Sequence, residues 1–90
     1  MPKVIVTGQA EDAAKWEAGL RSRGDLLNKA TVTTIAIGND GNEIATCSDV
    51  TDLSRFMEVM ASPDVAVVMA EDGLNQATVK IYVMDREFQP

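Results

Sequence analysis

The sequence contains no histidine and a single cysteine, Cys47. Without histidine the usual neutral-pH general base is missing, along with Ser–His and Cys–His pairings and the commonest transition-metal ligand. One cysteine excludes an intramolecular disulfide and a cysteine-rich zinc site. Basic residues are scarce: 8 Lys and Arg stand against 14 Asp and Glu, for a net charge of −6. Such a surface repels phosphate backbones and anionic lipid heads, so neither nucleic acid nor membrane is an expected partner. Aromatic residues make up only 4%, and an RNA-recognition sheet needs several of them on basic strands. Long apolar runs are missing too. The longest uncharged stretch, Ala30 to Asn39, is about half the length of a membrane helix. The start of the chain has too short an apolar run for a signal peptide. A cytoplasmic protein is the expectation.

What remains is an ordinary globular composition, 46% hydrophobic and 24% charged, in a chain sized for one domain spanning 1–90. Lys3 to Thr7 is a β-branched run that predicts a strand ended by Gly8. Gln9 to Arg23 is rich in helix formers, with Ala13, Trp16 and Leu20 as its inward stripe. Residues 25–29 add a helical turn carrying Leu26 and Leu27. Thr31 to Gly38 and Glu43 to Asp49 predict a hairpin around Asn39-Asp40-Gly41-Asn42, residues that tolerate positive φ. Asp49 or Thr51 is expected to cap a helix whose apolar face is Leu53, Phe56, Met57 and Met60. Ser62-Pro63-Asp64 predicts a helix restart, and Gly73 its C-cap. The run Val65 to Ala70 fits helix or buried strand by periodicity, and these brackets decide for helix. Thr78 to Met84 predicts the last strand. The order is β-α-β-β-α-β: an α+β, ferredoxin-like fold with a four-stranded antiparallel sheet and its helices on one face.

Two helical layers cover one face of such a sheet and leave the other open. Alternation places Val79, Ile81 and Val83 against Thr78, Lys80, Tyr82 and Met84 on the last strand. On the second strand it sets Thr33, Ile35 and Ile37 against Val32, Thr34 and Ala36. The open face then carries Ile5, Val32, Ala36, Tyr82 and Met84, too apolar for water, which predicts a homodimer through that face. Lys80 and Tyr82 lie two residues apart on one strand face, pointing away from the helices. Together they suit a carboxylate or enolate, with Tyr as a donor to a developing oxyanion; equally, they read as a snorkelling lysine and an interface tyrosine. Trp16 reads as a core anchor or as the aromatic wall of a ligand pocket. The candidate ligand-binding set is Trp16, Thr34, Lys80 and Tyr82. Cys47 reads as a small buried strand residue. Asp49, Asp52 and Asp64 read as helix caps and first-turn charges. Glu71-Asp72 is a weak cation signal, and neither a metal nor a cofactor is expected.

Val6-Thr7 leading to Ala13-Ala14-Lys15-Trp16, then Phe56 through Asp64, Glu71-Asp72-Gly73 and Val79-Lys80-Ile81-Tyr82, resembles the dimeric α+β barrel superfamily. That group includes antibiotic-biosynthesis-monooxygenase-like domains. The resemblance covers nearly the whole chain. It implies a homodimer whose sheets pack face to face or close into a barrel, with any ligand in the barrel or between sheet and helices. It does not imply one reaction. The sequence departs from active members in having no histidine for haem or base, and in carrying Ala30 where relatives often have glycine.

Other proteins of this topology are excluded by residue. An acylphosphatase needs an arginine after the first strand, and Gly8 to Asp12 has none; a metallochaperone needs Cys-x-x-Cys there. The expected function is a homodimer that binds a small hydrophobic metabolite or acts as a cofactor-free monooxygenase-like enzyme. The alternative is a non-catalytic regulatory or interaction module whose dimer is the functional unit.

Overall fold

A computed structural model describes residues 2–90. In chain order the elements are β1 (Lys3–Ala10), α1 (Ala13–Arg21), α2 (Gly24–Lys29), β2 (Val32–Asp40), β3 (Glu43–Val50), α3 (Leu53–Met60), α4 (Pro63–Glu71) and β4 (Leu74–Met84). The strands form one antiparallel sheet in the order β2-β3-β1-β4. The helices lie on one face of it, so the predicted α+β fold and its order are as observed.

The boundaries differ where local composition misled. Gln9 and Ala10 look helical in isolation but continue β1, pairing with Asn75 and Leu74. Asp12 then caps α1, its carboxylate accepting from the Ala14 and Lys15 amides. β4 begins at Leu74, four residues before the predicted start, because a bulge carries it past Gly8. Thr78 fills this bulge: its Oγ1 accepts from Gln9 N–H at 2.9 Å and donates to Asn75 C=O at 2.6 Å. A Cβ at Gly8 would meet Leu74 Cδ1 at 3.1 Å, which is why glycine suits the strand there. The hairpin turns where expected, with Gly41 at φ +59°. Asn42 ties it to the β1–α1 junction through Ala13 N–H and Glu11 C=O.

The cap of α3 is Asp52, whose side chain accepts from Arg55 N–H, and not Asp49 or Thr51. Asp49 lies on β3. Thr51 N–H donates to Thr31 C=O, and the Thr31 hydroxyl both accepts from Asp52 N–H and donates to Asp52 C=O. These bonds hold Thr31 at φ +64°, a cramped conformation for a β-branched residue. Pro63 starts α4 and Gly73, at φ +77°, follows its end. The ambiguous 65–70 run is helix.

The core lies between the sheet and the helices. Val4 and Val50 are fully enclosed; Phe56, Val59 and Val65 are 4% exposed. Burying side chains of this size stabilises by roughly 1.5–3 kcal/mol each. The expected face of α3 is rotated: Val59 is buried and Met57 is 41% exposed. Val32 also differs from its expected place. It is 8% exposed and packs in the core, because the β2–β3 register shifts between Val32 and Thr34. The bulge at Thr33 adds one residue and reverses the alternation, so Val32 and Ile35 share the helix side.

Candidate functional site

Two concavities lie on opposite sides of the sheet. The first is an apolar cavity of about 100 Å³ between sheet and helices. Trp16 on α1 walls one side, Phe56 and Val59 on α3 another, and Val6 on β1 forms part of its floor. Trp16 is 5% exposed, so the core-anchor and pocket-wall readings of this residue coincide. It is smaller than the roughly 150 Å³ dry apolar cavity that accepts benzene, so a single ring enters only as the lining side chains give way.

Polar groups enter the cavity from two directions. Thr46 and Ser48 of β3 line it from the sheet and are 7% and 3% exposed. Arg23, between α1 and α2, and Asp72, after α4, line it from the helix side. Arg23 Nη2 donates to Asp72 Oδ1 at 3.0 Å and to Glu71 Oε2 at 3.2 Å. The hydrogen bond to Asp72 is the largest cause of an arginine pKa raised above its ordinary value. Asp72 in turn rests against Gly19, where a Cβ would overlap its carboxylate. The pair of residues considered for a cation is therefore neutralised in part by an arginine. Arg23 Nε is buried and has no hydrogen-bond partner.

None of these four polar residues is in the candidate ligand-binding set, and Asp72 enters the sequence analysis only with Glu71 as a weak cation signal. A signal existed for two of them: from Ile44, alternation places Thr46, Ser48 and Val50 on one strand face, so the hydroxyls follow the core parity. Arg23 and Asp72 carry no such signal, because their meeting depends on how two helix ends approach.

The second concavity is a groove of about 420 Å³, larger but open to solvent, on the face away from the helices. Thr7, Gln9, Glu43, Thr78, Lys80 and Tyr82 line it. Lys80 and Tyr82 thus share one groove and point away from the helices. Trp16 is separated from them by the sheet. Thr34 is on β2, at the opposite edge, where its hydroxyl donates to Asp49 Oδ2 at 2.6 Å. Lys3 Nζ reaches Asp49 Oδ1 at 2.7 Å. The Lys3 and then the Thr34 hydrogen bond hold the Asp49 carboxyl below its ordinary pKa, and the same contact raises that of Lys3. The four candidates therefore occupy three places. Cys47, expected to be buried, is half-buried. It sits opposite Ile5 and Ala36 on the outer face.

By sequence, no protein-family model and no curated protein matches this chain. Solved structures do match it in shape. A cofactor-independent oxygenase, SnoaB of Streptomyces nogalater, superposes with a TM-score of 0.69 at 13% identity, covering 98% of this chain and 94% of its own. A monooxygenase of Streptomyces coelicolor from the gene ActVA-Orf6, in complex with nanaomycin D, gives 0.62 at 14% identity, over 99% and 89%. Another crystal structure described as an antibiotic biosynthesis monooxygenase gives 0.58 at 16% identity, over 97% and 99%. The fold is that of the antibiotic biosynthesis monooxygenases. Identities this low establish architecture alone, and matching coverage on both sides means that this architecture accounts for nearly all of each chain.

Proposed function

We propose that this chain binds a small hydrophobic metabolite in its helix-side cavity and works as a homodimer, in the manner of cofactor-free monooxygenase-like proteins. The observation that carries this reading is the apolar cavity of about 100 Å³ walled by Trp16. A well-packed core leaves few voids larger than a water molecule. In a 90-residue chain, whose burial is already modest, an empty space of this kind has a stability cost that a ligand would offset. The homodimer is supported by the outer sheet face, where Tyr82 is 46% and Met84 45% exposed beside Ile5. Likeness in shape to oxygenases supports the monooxygenase-like part of the reading.

For catalysis, Asp72 is the carboxylate that lines the cavity, and it is already engaged by Arg23 Nη2 at 3.0 Å. A substrate that loses its proton easily is therefore better suited to this site than one needing a strong base. Titration with benzene, followed by Trp16 fluorescence and amide chemical shifts, tests the binding site. Saturable changes confined to cavity residues are expected. A flat titration would remove the cavity as a site.

A further inference from the structure

This inference rests on reading the helix-side cavity as a ligand site, and it concerns the edge that the sheet presents to a ligand. Ile44, Thr46, Ser48 and Val50 share the helix-facing side of β3, and all four are buried. β3 runs between β2 and β1, so neither hydroxyl has a sheet edge by which to reach water. Their cross-strand neighbours are apolar: Val6 and Ile37 beside Thr46, Val4 and Ile35 beside Ser48. Asp49 is the one β3 side chain that hydrogen-bonds, to Lys3 and Thr34; Thr46 Oγ1 and Ser48 Oγ have no partner among the described residues. They are not sealed in either. Among the described residues, the one fully enclosed side-chain nitrogen or oxygen without a partner is Arg23 Nε, so both hydroxyl oxygens keep open surface. With Thr46 7% and Ser48 3% exposed, that surface opens onto the cavity they line.

Native interiors leave few buried polar groups unpaired. Each hydroxyl carries one O–H donor, and a ligand that only donates leaves both protons without an acceptor. A ligand that accepts satisfies them. The walls are otherwise mostly apolar, which penalises a charged ligand, and Asp72 is already engaged by Arg23. Met60 on α3 and Met69 on α4 also line the cavity, and their unbranched side chains supply the give that a ring needs. We propose that Thr46 and Ser48 form a recognition edge, and that the cavity takes a small uncharged ring bearing a hydrogen-bond acceptor turned toward β3.

Pyridine and benzene share one ring and differ by the acceptor nitrogen. Titrations above neutral pH keep pyridine uncharged and are followed by amide chemical shifts. Thr46→Val combined with Ser48→Ala removes both hydroxyls and leaves apolar side chains that suit a core. The double variant is expected to bind pyridine about fivefold more weakly, as for loss of a neutral hydrogen bond, and to change benzene by less than about twofold. An equal change for both rings, or none for pyridine, overturns the proposal. A second measurement uses the unmodified protein and guards against a variant that does not fold. In bound pyridine, the protons flanking the nitrogen should give the stronger nuclear Overhauser effects to the Thr46 methyl and Ser48 β protons. Stronger effects from the proton opposite the nitrogen overturn the proposal. Benzene bound with pyridine excluded overturns it while the cavity reading stands. If neither ring binds, the cavity reading fails and this inference with it.

Discussion

The two faces of the sheet are built from the same strands and solve different problems. On the helix side, Val4, Val6, Ile44 and Val50 are buried, and the polar atoms that enter are hydroxyls and one arginine–carboxylate cluster. On the outer side the rows run Ala36–Cys47–Ile5–Tyr82 and Thr34–Asp49–Lys3–Met84 across all four strands. These are mixed, small and amphipathic, with an ion pair near one end. The contrast shows why period-two alternation locates a core but not a function. Apolar residues occur on both strand faces, and their polar inclusions tell them apart: hydroxyls and one arginine–carboxylate cluster inside, Lys3, Asp49 and Lys80 outside.

The sharpest way to break the contrast is to remove a wall of the inner face. Phe56→Ala should cost about 3–5 kcal/mol, enough to unfold much of a 90-residue domain, and urea denaturation would show it. A loss below 1 kcal/mol would mean that Phe56 is not part of a packed core. The outer face should respond differently. Ile5→Asp, central on that face, should convert a species of twice 9.7 kDa into a folded monomer, as read by sedimentation equilibrium with circular dichroism. If the unmodified protein already sediments at 9.7 kDa, the outer face needs no partner.

The smallest effect concerns pH. Asp49 has a folded-state pKa below its unfolded value, so its contribution is present above about pH 4 and fades as pH falls below it. Lys3 has a raised value, so its contribution is present below about pH 10.5 and fades as pH rises above it. Asp49→Asn should therefore flatten melting temperature against pH at the acid end, with little change at pH 7, because the pair is partly exposed. An unchanged acid slope would show that Asp49 is not responsible.

Much of this architecture was legible in the sequence, because the strong signals were local: the Gly41 turn, the Ser62-Pro63 restart, the β-branched runs. What stayed hidden was set by distant partners. Gln9 and Ala10 favour helix on their own, yet Asn75 and Leu74 draw them into β1. On α3, Leu53 and Phe56 are compatible with either Met57 or Val59 completing the stripe, and the sheet selects Val59. Among the candidate site residues, Trp16 was placed on the helix side because a lone tryptophan at an inward helical position has few alternatives. Lys80 and Tyr82 were placed on the correct face because β4 alternates regularly beyond its bulge. Thr34 was grouped with them because alternation assigns it to the same open face, but β2 and β4 are opposite edges of the sheet. Arg23 and Asp72 were missed because a cation and an anion 49 positions apart announce no relation until the chain is folded.

The irregularity at Thr33 has a consequence for how this chain tolerates insertion and deletion. A strand face is a matter of parity, and one extra residue at Thr33 makes the count from Val32 to Ile35 odd while both remain inside. Deleting Thr33 would make that count even, leaving Val32, Thr34 and Ile35 opposite Val50, Asp49 and Ser48 with every side chain on its present face. Deleting one residue from the regular ladder beyond the bulge, Ala36 for example, acts instead like a reading frame that has slipped: the residues after it change sides and Ile37 turns to water. Removing two residues from this stretch preserves the frame and merely shortens it. Length variation in β2 is therefore quantised beyond the bulge: steps of two are structurally mild, a step of one exchanges the inside of the protein for its outside, and only Thr33 absorbs a single-residue change.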